Sequence, residues 1–259
     1  MIKKWLTFSI QSHLFLAISA FVFSIGILDG NNKALHFSVA LSVAIFGVYN
    51  LNRLNKLKTN QLSNDLIVWY QRNSVFLQFT AIVCLFSSAS IYAYLIGRQP
   101  LSLLFIAITG SITVLYIYNI NKINLRQIPR TKAIWISIVW TLISVMIPKL
   151  TMNSFRWSDL HYFILFLALT IPGDLRDSKI DSHKMRTIPQ IMGSRKASSL
   201  FLLLITSFLV LNFLLNNTDF IGISLVLLFF SVLISKHIPF RHELMDGMLL
   251  ILGIGYLVG

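Results

Sequence analysis

Apolar residues run through this chain in long blocks separated by short polar stretches, without the strict alternation of a half-buried strand. The blocks fall at roughly Leu6 to Leu28, Leu35 to Leu51, Ser74 to Ile96, Leu101 to Tyr118, Ala133 to Ile147, Leu160 to Ile171, Ala197 to Leu215, Phe220 to Ser235 and Leu244 to Val258. A helix needs about 20 predominantly apolar residues to cross a bilayer, so the pattern predicts nine transmembrane helices. The fifth, sixth and ninth blocks are short and must borrow flanking polar residues or lie screened by neighbours. The expected fold class is an all-α, polytopic membrane bundle. Residues 1–259 read as a single domain, because no Gly-, Pro- or Ser-rich run marks a linker.

Composition agrees with the pattern: 56% hydrophobic and only 12% charged residues, with a mean hydropathy of +0.74, exclude an ordinary soluble domain of this length. The first block follows Lys3 and Lys4 as a signal peptide would, but it is too long and lacks a small-x-small cleavage site, so it reads as the first span. Lys33, Arg98, Lys149 and Arg156 fall on one side of the expected topology and the remaining 18 of 22 Lys and Arg on the other. That asymmetry places the amino terminus and the larger loops in the cytoplasm, consistent with a cell membrane protein. The net charge of +13 follows from this bias and from attraction to anionic lipid in the bilayer, so no nucleic-acid partner is expected. The single cysteine, Cys84, cannot form an intrachain disulfide and says nothing about compartment. No internal repeat points to a transporter.

The chemistry concentrates in two polar stretches. Asp174, Asp177 and Asp181 place three of the chain's nine acidic residues at spacing i, i+3, i+7, which on a helix is one face, so the carboxylates must repel each other or share a cation. Hard oxygen ligands favour Mg²⁺ or Ca²⁺ over zinc, and a Mg²⁺ held by one or two carboxylates completes its shell with water and substrate phosphates, so the cluster suggests a phosphorylated substrate at a membrane surface. Arg176, Lys179, Lys184 and Arg186 are interleaved with it, as a site holding both a cation and a polyanion requires. In the segment from Tyr116 to Gln127, Tyr118, Lys122 and Arg126 lead from aromatic into basic residues at a helix end, where a phosphate would be clamped. The plain alternative is an interfacial belt of tyrosines with cations reaching the lipid headgroups.

Gly173-Asp174-Leu-Arg-Asp177-Ser-Lys-Ile-Asp181, followed by Thr187, Pro189 and Gly193, resembles the second aspartate-rich motif of the UbiA superfamily of intramembrane prenyltransferases. The nine expected spans, the cytoplasmic site and the Tyr-rich segment resemble that family as well. The resemblance implies an all-helical UbiA-type bundle. It also implies a Mg²⁺-dependent enzyme that transfers a prenyl group from a prenyl diphosphate to an aromatic or other hydrophobic acceptor, with Asp174, Asp177 and Asp181 as metal ligands. A terpene cyclase on the same scaffold and a non-catalytic prenyl-lipid-binding relative are the alternatives.

The chain departs from the family where a first aspartate-rich motif would stand. Tyr49 to Asn60 contains no carboxylate, and none occurs between Asp29 and Asp65. Asn50, Asn52 and Asn55 offer neutral carbonyl ligands there, and Arg53, Lys56 and Lys58 offer positive charge for a departing diphosphate. Among isolated polar residues, Gln78, Asn212 and Asp246 read equally as interhelical partners or acceptor ligands. Trp69, Tyr70, Trp135, Trp140, Tyr116 and Tyr118 are candidates to line a prenyl tunnel.

Overall fold

The computed structural model describes residues 8–28, 32–59, 62, 64–118, 125–177, 186–216 and 242–258. Among them the regular structure is helical: α1 Leu14–Ile27, α2 Asn32–Lys58, α3 Asn64–Ile96, α4 Pro100–Ile117, α5 Lys132–Thr151, α6 Tyr162–Asp177, α7 Ile188–Met192, α8 Ser194–Asn216 and α9 His242–Val258. Five of these helices, α2, α3, α4, α5 and α8, carry stretches long and apolar enough to cross a bilayer, and α1 and α9 are shorter apolar helices. The chain is an integral membrane protein with an all-α bundle. The expected span Phe220 to Ser235 lies outside the described residues.

Two of the blocks read as continuous spans are interrupted or rewound in the structure. The block Leu6 to Leu28 is interrupted at His13, which takes a left-handed conformation (φ 59°) between a helical turn and α1. The carbonyls freed by the break are satisfied from other helices: Asn50 Nδ2 donates to Ser12 O at 2.8 Å and Tyr70 OH to Gln11 O at 2.6 Å. In α5, residues Leu142–Met146 form a π turn ahead of Pro148. Proline has no N–H and its ring collides with the carbonyl four residues back, so a wider turn relieves both problems. The Ile143 carbonyl in that turn accepts from Tyr92 OH of α3 at 2.9 Å.

Helix α2 packs along α3, α1 lies against both α2 and α9, and α6 lies against both α5 and α8. Lipid chains are as apolar as leucine, so these contacts draw on close approach and interhelical hydrogen bonds more than on exclusion of water. Ser88 Oγ of α3 donates to Ala40 O of α2 at 2.8 Å. A Cβ on Gly26 would sit 2.6 Å from Gly253 O, and one on Gly253 would collide with the backbone of Val22 and Phe23. Gly253→Val is therefore expected to lower the thermal midpoint in detergent by several degrees, overpacking of this kind costing about 1–3 kcal/mol. Gly110→Val is the matched control in a scanning fluorescence melt, since nothing lies within 4 Å of its Cβ.

The outward faces of α3 and α4 carry Val75, Phe76, Phe79, Phe86 and Leu104, all exposed, as a helix solvated by lipid requires. At the bundle end that holds Lys149, Asp159 accepts from Lys149 Nζ at 2.7 Å and from Arg156 N at 2.8 Å. There His161 Nε2 meets Asn212 Oδ1 at 3.3 Å and Tyr256 OH donates to the same oxygen at 2.8 Å. Asn212 is thus an interhelical partner joining α8 to α9, and Gln78 is exposed.

Candidate active site at one end of the bundle

Helix α6 ends in a polar turn bearing Asp174 and Asp177, three residues apart, and both are buried at 3% and 9% exposure. Carboxylates at a helix C-terminus oppose the helix dipole, which favours cations there, so their burial requires partners. Lys132 Nζ lies 2.7 Å from Asp174 Oδ1, and Lys56 Nζ lies 3.7 Å from Asp177 Oδ2. Lys132 is the first residue of α5, a position where the dipole disfavours a cation. Both lysines are buried. The charges of Arg53 and Arg126 also act on Lys56.

These pairs line a cavity of about 190 Å³ between α1, α2, α4, α5, α6 and α9. Its polar wall comprises His13, Tyr49, Asn52, Arg53, Lys56, Tyr116, Lys132, Thr170, Asp174, Asp177 and Asp246, and its apolar wall includes Leu16, Ile136, Trp140, Phe166 and Leu249. Tyr49, Asn52, Arg53 and Lys56 follow the i, i+3, i+4, i+7 spacing of one helix face. The left-handed turn at His13 brings its ring to 5.2 Å from that of Tyr49, and Arg53 Nε points to His13 Nε2 at 3.4 Å. Trp140 Nε1 donates to Tyr49 OH at 3.3 Å. Asn52 Oδ1 is buried and has no hydrogen-bond partner among the described residues.

A second cavity of about 120 Å³ shares Tyr49, Asn52, Tyr116, Ile136 and Trp140 with the first. The rest of its wall is largely apolar, from Ala44, Ile45, Val48, Ile112, Trp135, Val139 and Ile143. A charged chamber against an apolar one suits a ligand with an anionic head and a hydrocarbon tail.

A solved structure matches this bundle along 97% of this chain and 99% of its own, with a TM-score of 0.65 and 13% sequence identity: that of a UbiA homolog from Archaeoglobus fulgidus bound to GPP and Mg²⁺. The fold is UbiA-like. No family model and no curated protein matches the sequence. At this identity the likeness is one of fold.

Within the UbiA-like bundle, the residues singled out in the sequence separate into distinct groups. Asp174, Asp177, Asn52, Arg53 and Lys56 line the charged cavity. Arg126 is buried near Lys56 but outside the cavity wall. Asn50 Nδ2 is engaged by Ser12 O and Phe46 O, each at 2.8 Å, and Asn55 Nδ2 donates to Ile117 O at 2.7 Å, so both amides tie backbone together. Lys58, Tyr118 and Arg186 are exposed and outside the wall. Lys122, Asp181 and Lys184 lie outside the described residues, as does the side chain of Arg176.

Trp135, Trp140 and Tyr116 line the cavities as tunnel residues would, whereas Tyr70 packs in a separate small cluster with Leu54, Leu62 and Leu77, flanked by Trp69. The cavity residues His13, Tyr49 and Lys132 were not marked by the motifs. For Lys132 a signal was present, namely a lysine opening an apolar helix against its dipole. Asp246 was visible as a carboxylate near the start of the last apolar block.

Proposed function

We propose that this protein is a membrane-embedded prenyltransferase that transfers a prenyl group from a prenyl diphosphate to a hydrophobic, aromatic or other acceptor. The observation carrying this reading is the charged cavity that shares five wall residues with an apolar chamber. Support comes from a bundle whose solved counterpart was bound to GPP and Mg²⁺. In this reading the chain is one domain. Arg53, Lys56 and Lys132 bind the diphosphate, with Arg126 adding positive potential, and the apolar chamber takes the prenyl chain. Arg176, Lys122 and Lys184 are further candidates for the diphosphate.

The donor set also fits a divalent ion. Mg²⁺ takes one or two carboxylates and fills its shell with water and phosphate oxygens. Asp174 and Asp177 supply the carboxylates, and the orphaned Asn52 Oδ1 supplies a further hard acceptor in the same wall. No group of three His, Cys, Asp or Glu poised for a metal occurs among the described residues; Asp181, outside them, is proposed as a third ligand on its place in the aspartate-rich motif. When bound, Mg²⁺ would neutralise charge accumulating on the leaving diphosphate. The chain's own cations do the same from fixed positions in a water-poor site. The carbon–oxygen bond breaks with its electron pair leaving on diphosphate, an electron pair of the acceptor forms the new bond to the prenyl carbon, and the proton that the acceptor loses goes to the released diphosphate.

A cyclase reading has its own support in the aromatic faces of Tyr49, Tyr116, Trp135 and Trp140 around the apolar chamber, since aromatic π faces stabilise cations. Incubating membranes that contain the protein with prenyl diphosphates of several lengths, with and without aromatic acceptors, separates the readings. A prenylated acceptor is the expected product, a cyclic hydrocarbon or alcohol supports the cyclase, and no consumption of any prenyl diphosphate overturns both.

The site is proposed to face the cytoplasm of a cell membrane, on the positive-inside bias. In a Cys84→Ser background, Lys58→Cys is expected to react with a membrane-impermeant maleimide only from the cytoplasmic side, and Lys33→Cys only from the opposite side. The reverse labelling would turn the site outward.

A further inference from the structure

We propose that the ammonium groups of Lys56 and Lys132 are exchangeable ligands. In the ligand-free cavity they neutralise Asp177 and Asp174, and an arriving diphosphate takes them over and releases both carboxylates to a divalent cation. This deepens the prenyl diphosphate reading above and rests on it for the anion.

The geometry behind it is the coincidence of two ion pairs with one cavity. All four side chains line the same space, at Nζ to carboxylate distances of 2.7 Å for Lys132–Asp174 and 3.7 Å for Lys56–Asp177. A pair sealed in a helix interface would hold its charges for good, but here both members of each pair are reached by whatever enters. Lysine suits transfer: its charge sits on a flexible four-carbon stem with three donors, and a small rotation moves the ammonium between acceptors within the cavity. The pairs are also costly where they stand, since burying two charges incurs a desolvation penalty that their attraction does not always recover. A polyanion entering between them gives each ammonium a stronger partner, and a divalent cation gives each carboxylate one.

The exchange carries a definite thermodynamic signature. While the lysines hold the aspartates, a free divalent cation must displace them, so its affinity for the ligand-free protein is depressed. By the reciprocity of linked equilibria, whatever draws the lysines away improves cation binding by the same factor. The asparagine-rich end of α2 shows the other half of this arrangement. Where the stretch Tyr49 to Asn60 lacks carboxylates, it contributes a cation, Lys56, to the acidic end of α6.

The test uses full-length protein in detergent, with Mn²⁺ and inorganic pyrophosphate as separate probes. Free Mn²⁺ is read by electron paramagnetic resonance and pyrophosphate by isothermal calorimetry without metal. Lys132→Gln and Lys56→Gln are each expected to bind Mn²⁺ at least about tenfold more tightly than wild type, and metal-free pyrophosphate at least about tenfold more weakly, within the range typical of coupled sites. Lys58→Gln, which removes the same charge from the exposed end of α2, reports the generic electrostatic effect and is expected to move both affinities less than about threefold. If Lys132→Gln fails to fold, Lys56→Gln decides, because its pair is the longer one.

Tighter Mn²⁺ with unchanged pyrophosphate binding means lysines that never leave their aspartates, and overturns the exchange. Unchanged Mn²⁺ affinity overturns it as well, and so does a wild-type protein that binds no pyrophosphate. The prenyl reading fails on a different result, the absence of prenyl diphosphate consumption.

Discussion

Asp177→Asn is expected to lower prenyl transfer by at least about 100-fold, the scale seen when one charged or hydrogen-bonding group is removed from a preorganised site. The thermal midpoint in detergent is expected to stay within about 3 °C of wild type, a shift of the size that about 1 kcal/mol gives a chain of this length. Asparagine keeps the shape of the side chain and one carbonyl oxygen, but it loses the negative charge that a hard divalent cation demands. The partner left behind is Lys56, 3.7 Å away at the cavity wall, where it can turn toward Asp174, toward water or toward substrate phosphate. Turnover and melting measured on the same preparation check both halves. Wild-type turnover would remove Asp177 from the site, and a collapse of the melt would make its role structural.

Most of the helical bundle was legible because a bilayer leaves a chain little choice: every backbone polar group must be satisfied within the protein, which a helix does for nearly all of its own. Apolar blocks therefore marked helices, but they did not mark helix ends. Helix α2 runs on to Lys58 and α3 begins at Asn64, because polar residues continue a helix once it reaches the headgroup region. Those extensions carry the site, since Asn52, Arg53 and Lys56 lie past the expected end of the second block at Leu51. The break at His13 was not legible. It depends on Asn50 and Tyr70 of other helices taking up the Ser12 and Gln11 carbonyls, and nothing local to a histidine in an apolar run announces it.

The candidate site shows the same division between local pattern and tertiary pairing. The spacing of Asp174 and Asp177 correctly put them on one face of one helix. The three asparagines of α2 look alike as a motif, yet at about 100° per residue Asn50 and Asn52 face nearly opposite ways. Tyr49, Asn52, Arg53 and Lys56 form the stripe that meets the cavity, and Lys58 lies off it. That stripe could have been read from periodicity alone. The pairing of Lys132 with Asp174 could not, because it joins two helices whose packing no single sequence states.

That pair supports the second large effect. Asp174→Ala is expected to destabilise the protein by about 3–5 kcal/mol, the cost of stranding the partner of a buried ion pair. Asp174 and Lys132 sit 2.7 Å apart with side-chain exposures of 4% and 8%, a closer pair with a more deeply buried carboxylate than Lys56–Asp177 at 3.7 Å and 8% and 13%, so breaking it costs more. Lys132→Met alone should be similarly costly, because it strands the carboxylate instead. The double variant Asp174→Ala/Lys132→Met removes both charges and is expected to recover most of the loss, giving a large coupling energy in a double-mutant cycle on thermal or denaturant unfolding. Recovery of folding should not bring back function, since neither a metal ligand nor a diphosphate cation remains at that point of the cavity. Additive single losses would mean that the two side chains do not hold each other in the folded protein. A double variant that folds and still transfers prenyl groups would show that the chemistry runs on Asp177, Lys56 and Arg53 alone.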